Sequence, residues 1–247
     1  MNKEIDKISL RRNGSKQENR GINNPLIVIL IAVLIPSIIL MKFSGEGILG
    51  HELILLIALS FPLSLGIYKY VITRKIDLFA AIGFLNVLLT GALGLLRANV
   101  LLFAIKESLL PAIMGISFFL SLKTGNPLIT ALILNDKNMN LDLIEERLND
   151  KCLHDEFSRI ISNTNLFFVG TFMLSAVLNF VLTLLVLKSP PNSEPFLEEL
   201  GRMNLIAPAV IALPAVIISI IAMLYFLYAT SQLINCPIEE ITKRTQR

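Results

Sequence analysis

"VLLFAIKESLLPAIMGISFFLSL" (Val100–Leu122) carries two charges, Lys106 and Glu107, in a run whose only other polar side chains are serines. About 20 apolar residues are enough for a helix to cross the hydrocarbon core of a bilayer. The run has no period-2 alternation, so it does not read as a strand of a membrane barrel. Backbone polar groups in lipid must be satisfied within their own segment, which makes the stretch a helix. Five further blocks share its character: 25–42, 52–72, 76–97, 164–187 and 205–233. Together with 100–122 they predict an all-α fold, a polytopic transmembrane helical bundle of six spans.

Composition agrees. Hydrophobic residues make up 54% of the 247 and charged residues 17%, with a mean hydropathy of +0.69. A soluble domain holds about 25% charged residues. The formal charge of +3 matters less than where the basic residues stand. Numbering the connections alternately puts seventeen basic residues on one side, in the stretches before 25, around 69–75, within 123–159 and from 243 onward. The other side holds four, Lys42, Arg97, Lys188 and Arg202, with Lys106 left inside a span. The positive-inside rule then makes both termini cytoplasmic.

The implied organisation is a flexible cytoplasmic tail over 1–24 and a four-span region over 25–123. A cytoplasmic segment over 124–163, a two-span region over 164–233 and a cytoplasmic tail over 234–247 follow. "NNPLIVIL" supplies Asn24 as a helix cap and Pro25 as first helical residue. The first span reads as an uncleaved anchor, because a long polar tail precedes it and no small-x-small site precedes Lys42. Within the cytoplasmic segment, "DLIEERLNDKCLHDEFSRII" offers Asp142 and Glu145 as a capping-box pair. Leu141, Ile144, Leu148 and Cys152 recur at helical spacing, and Leu153, Phe157 and Ile160 continue on a nearby face. This predicts one amphipathic helix over 139–162, packed on the bundle or lying on the membrane surface. Its polar face carries Asp142, Glu145, Glu146, Asp150, Asp155 and Glu156, which disfavours capture of anionic headgroups.

Polar points inside the spans are the candidate functional positions. Asn86 with Thr90, and Asn179 with Thr183, each repeat an i, i+4 pattern that suits hydrogen bonds between helices. Lys106 lies shallow enough to reach water along its aliphatic stem, whereas Glu107 is shorter and points about 100° away. Neighbours in sequence are not a natural helical ion pair, so Arg97 is the expected partner of Glu107 and Glu52 that of Lys106. The pair reads either as a structural anchor or as an ion or substrate site, since ionisable groups within the membrane are functional candidates. Pro36, Pro62, Pro111 and Pro214 are candidate hinges, each freeing the carbonyl four residues back, or else sources of packing curvature. Gly91, Ala92 and Gly94 form a close-approach patch without GxxxG.

Enzyme chemistry is not expected. His51-Glu52 opens like HExxH, but Leu55 stands where the second histidine belongs. There is no GxSxG elbow, no P-loop and no zinc-spaced Cys/His cluster. Catalytic residues, cofactors and metals are therefore not anticipated. Cys152 and Cys236 stand alone, without a CxxC. "LRRNGSK" is too short a basic run to imply nucleic acid.

One region resembles a family. In residues 68–129, Arg74-Lys75-Ile76 precedes a span that closes with Gly91 to Leu95. Ile105-Lys106 and Pro111 open the next, which exits through Lys123 to Asn126. This resembles the bacterial intracellular septation protein A family. With Asn24-Pro25-Leu26 and "IPSIIL", residues 24–130 are similar to a related group of small bacterial multi-pass proteins with a transporter-like label. The resemblance implies a bacterial inner (plasma) membrane protein of the cell envelope, without catalytic residues to carry over. The expectation is a non-enzymatic protein of envelope maintenance or division, with the lipid bilayer around it, protein partners on the 139–162 helix, and a homo-oligomer open to it. The alternative is a small-solute or ion transporter or channel with a polar path near Lys106 and Glu107.

Overall fold

The computed structural model describes residues 33–43, 50–73, 78–134, 139–191 and 193–242. The 1–24 tail, the Asn24–Pro25 helix start, Arg74-Lys75-Ile76 and the basic residues Lys137, Lys243, Arg244 and Arg247 lie outside them. Regular structure among the described residues is helical: α1 Ile35–Phe43, α2 His51–Thr73, α3 Leu78–Leu95, α4 Val100–Lys123 and α5 Ile129–Ile133. Then come α6 Leu141–Lys151, α7 His154–Val186, α8 Glu194–Ala207, a π-helical turn Pro208–Ala212, α9 Leu213–Ile234 and α10 Ile238–Ile241. One isolated antiparallel bridge pairs Met139 with Thr242.

Among the described residues three helical stretches are long and apolar enough to cross a membrane: α4, α7 and the continuous Glu194–Ile234. Between their ends the exposed surface is largely hydrocarbon. Leu102, Ile105, Leu109, Ile113, Ile116 and Phe119 of α4 all stand exposed. A helix apolar all round buries itself in a protein core or in lipid, and these side chains have no core around them. The apolar part of α2, Glu52–Tyr68, is shorter.

The chain divides into two compact units. The first joins Met1–Phe103 to Thr183–Ile206. Here α3 packs on α2 through the predicted small residues: a Cβ on Gly91 or Gly94 would stand 2.7 Å or 2.6 Å from the side chains of Leu59 and Leu55. Ala92 is exposed and takes no part. Helix α8 approaches α1 closely, where a Cβ on Gly201 would lie 2.7 Å from the carbonyl oxygen of Ser37. Phe103 and Phe196, both fully buried, meet edge to face at 5.3 Å.

The second unit joins Ala104–Leu182 to Ala207–Arg247. Its core gathers Phe118, Ile144, Leu148, Phe157, Phe226 and Ile241. The apolar face of α6 is spent on this core, while Asp142, Glu145, Glu146 and Asp150 stand exposed. Two sequence expectations change here. The cap of α6 is Asn140, whose side chain accepts from Leu143 N at 3.4 Å, rather than an Asp142–Glu145 box. The amphipathic stretch is also two helices, because Cys152 turns left-handed at φ 53° and stops α6. The five-residue step from Leu148 to Leu153 puts the apolar residues out of helical phase. Asp155 and Glu156 then fall in the first turn of α7, where acidic side chains favour a helix start. Helix α7 runs from there through the predicted span without a break.

Candidate functional site

Lys106 and Glu107 lie on α4 within the second unit. The Lys106 Nζ donates to Glu107 Oε1 at 2.6 Å, with side chains only 7% and 19% exposed. The expected partners bind each other instead: Arg97 stands 3.9 Å from Glu52, both largely exposed. Side chains do not project from a helix as fixed radial vectors. A lysine stem is long enough to fold across 100° of helix surface, and withdrawal from water rewards the short bond. An exposed pair such as Arg97–Glu52 adds at most about 1 kcal/mol. In a half-buried pair, each charge makes the other tolerable.

The four prolines fall into two kinds. Helices α2 and α4 continue through Pro62 and Pro111 without a change of helix type. Pro36 and Pro214 each follow a π-helical stretch, at 33–34 and at Pro208–Ala212. At the second, Leu213 N reaches five residues back to Pro208 O. Pro214 has no N–H to give to the preceding turn, and the widened turn accommodates that loss.

Two of the four paired side chains donate back along their own helices. Thr90 Oγ1 donates to Asn86 O at 2.9 Å and Asn179 Nδ2 to Ser175 O at 2.8 Å. Asn86 is exposed and Asn179 half-buried. The same habit recurs at Ser60, Ser64, Ser108, Ser117, Thr171 and Ser219, whose hydroxyls donate three or four residues back.

The best-organised polar group in the second unit is one that the sequence did not single out. Asn165 of α7 is fully buried. Its Oδ1 accepts from Ile129 N at 3.1 Å, and its Nδ2 donates to Phe118 O at 2.8 Å. Ser121 Oγ donates to that same carbonyl at 2.6 Å and accepts from Leu128 N at 3.0 Å. Two side chains thus satisfy the end of α4, the turn at Gly125 (φ +74°) and the start of α5 in apolar surroundings. Asn165 stands at the edge of its span, so a search for polar residues at mid-span passes over it.

The remaining cysteine chemistry is quiet. Cys152 is exposed and Cys236 buried, with Cys236 Sγ donating to Glu240 Oε2 at 3.2 Å. Burial, then the hydrogen bond to Glu240 and its charge, push the Cys236 thiol up, against a smaller opposing pull from Arg147. Among the described residues no three His, Cys, Asp or Glu side chains gather as a metal site. Comparison with family models, curated proteins and solved structures found no match.

Proposed function

We propose that this chain is a six-span protein of the bacterial inner membrane, both termini cytoplasmic, that acts in envelope maintenance or division by holding protein partners. The observation that carries the reading is the fastening of α6. Its Ile144 and Leu148 are buried and its start is tied down by Asn140 N donating to Ile241 O at 2.8 Å. What remains outward is a face on which four carboxylates, Asp142, Glu145, Glu146 and Asp150, outnumber the exposed Arg147. A like-charged leaflet repels such a face, and a basic protein surface suits it. The hydroxyls of Ser108, Ser117, Thr171 and Ser219, bonded back along their own helices, support the same view, because a transport path needs polar groups converging near the midplane. The likeness of residues 24–130 to septation protein A-type proteins is part of this proposal.

Transport is the second reading, favoured by one feature: π-helical turns frequently mark functional positions, and Pro208–Ala212 is one. A single set of variants separates the two. Reversing the four acidic positions to lysine should abolish in-cell photocrosslinks from α6 while leaving folded yield unchanged. Solute or ion flux in proteoliposomes that disappears in Glu107→Gln at unchanged yield would instead establish transport and defeat the partner reading.

A further inference from the structure

Helix α7 keeps one lane of its surface uncovered within the second unit. Glu156, Asn163, Gly170 and Val177 follow one another at steps of seven residues, and all four are exposed. A seven-residue step returns to nearly the same side of a helix. Leu166 and Leu174, one turn either side of Gly170, are 54% and 39% exposed. Gly170 differs from the other helical glycines. A Cβ built on Gly91, Gly94, Gly115 or Gly201 would meet a neighbour within 2.7 Å, whereas one built on Gly170 meets nothing within 4 Å. Glycine inside a helix weakens it relative to alanine, and no close contact within the chain offsets that loss here. The lane begins with charges of both signs. Arg159, also exposed, lies one turn beyond Glu156 and about 60° around the helix from it. Asp155 stands at the margin, about 100° from Glu156 and about 40° from Arg159. Among the described residues none of the three has an ion-pair partner. Helix α9, which flanks the lane at Ile218 and Tyr225, contains no charged residue.

We propose that this lane of α7 packs against the same lane of a second copy of the chain, the two helices parallel about a two-fold axis. Charge selects the occupant. An interface between identical surfaces is self-complementary, so Arg159 of each copy stands beside Glu156 of the other and two reciprocal pairs form. Asp155 stays at the rim, in water. An anionic headgroup would instead meet two carboxylates and one guanidinium. Deeper in the lane, Gly170 lets the two backbones approach, and small residues serve that role between membrane helices. Lipid tails cover an apolar helix without any need for a glycine. The seven-residue step suits the left-handed crossing of paired helices. Two copies are parallel because α7 crosses the bilayer in the proposed topology, the one part of the functional reading on which the pairing rests.

The test uses the full chain with Cys236→Ala, which leaves exposed Cys152, just ahead of α7, as its thiol. The chain is reconstituted in phosphatidylcholine vesicles at stepwise dilution in lipid. A membrane-permeant bis-maleimide then bridges Cys152 of paired copies. The parent chain should give a bridged dimer that disappears only on extensive dilution. Gly170→Leu should weaken pairing at least about tenfold, because a bulky side chain overpacks the close approach. Arg159→Glu should weaken it about tenfold, because two exposed pairs become like-charge contacts. Adding Glu156→Arg to Arg159→Glu should restore pairing, since the reciprocal pairs return with their signs exchanged. A merely structural loss would not be rescued in this way. Bridging absent at every dilution, or identical in all four chains, overturns the proposal, as does a double variant no better than Arg159→Glu. Alkaline carbonate extraction of the same vesicles separates the two readings. A chain released by carbonate refutes the membrane reading, whereas a chain retained by it but never bridged refutes the pairing alone.

Discussion

At the scale of the residue, the chain's stability turns on a few polar and small side chains in apolar surroundings. Asn165→Leu removes the acceptor of Ile129 N while Phe118 O keeps its bond from Ser121 Oγ, and one buried group left unsatisfied costs about 1–3 kcal/mol. Thermal unfolding in detergent should show that loss, while Asn86→Leu, at an exposed position, should stay within about 0.5 kcal/mol of wild type. The charged pair predicts a cycle. Lys106→Leu or Glu107→Gln alone should destabilise by about 3 kcal/mol or more, and the double variant should recover most of it. Additive single effects would mean that the 2.6 Å contact contributes no coupling. Glycine offers an internal contrast. Gly201→Ala drives a Cβ against the Ser37 carbonyl and should cost about 1–3 kcal/mol, whereas Gly170→Ala should gain about 0.5–1 kcal/mol in melting experiments. Of this layer the sequence showed the unusual residues but little of their pairing. Lys106 and Glu107 stood out because charge is rare in such runs. That they hold each other follows from side-chain reach, which sequence spacing does not encode.

At the scale of the element, long apolar runs were legible because lipid and backbone hydrogen bonding leave them one solution. Boundaries were less so. The start of α7 at His154 hides in a stretch that reads as one amphipathic helix, and only the phase slip between Leu148 and Leu153 betrays it. The strap formed by α10 and Thr242 was not legible either, since a four-residue helix has no periodicity to detect. That strap carries a pH prediction. The folded state holds Cys236 as a neutral thiol, its pKa raised above an ordinary value of 9.0. Its stabilising contribution is complete below that value and is lost as the pH rises through the folded-state value, because a thiolate would then sit beside Glu240. Stability should therefore decline in the alkaline range above about pH 9, and this component should be absent from Cys236→Ala. At pH 8, alkylation with iodoacetamide should modify exposed Cys152 first, and Cys236 only after unfolding. Equal labelling rates would show that the strap does not cover its thiol.

At the scale of the whole molecule, the apolar helices and the exposed hydrocarbon on them fit a membrane, and the asymmetry of basic residues argues for one orientation within it. In the proposed topology α6 and its acidic face lie in the cytoplasm, one span away from the stretch that holds Lys188. Two positions bracket that span: Cys152 before it and Lys188 after it, both exposed. The direct measurement is labelling with a membrane-impermeant maleimide in intact spheroplasts, then in broken membranes. It compares the wild type with a Cys152→Ser, Lys188→Cys variant. With that topology position 188 labels from outside in intact spheroplasts, and Cys152 labels only once the membrane is broken. Cys152 labelling from outside while position 188 is protected would invert the topology and contradict the cytoplasmic placement of α6.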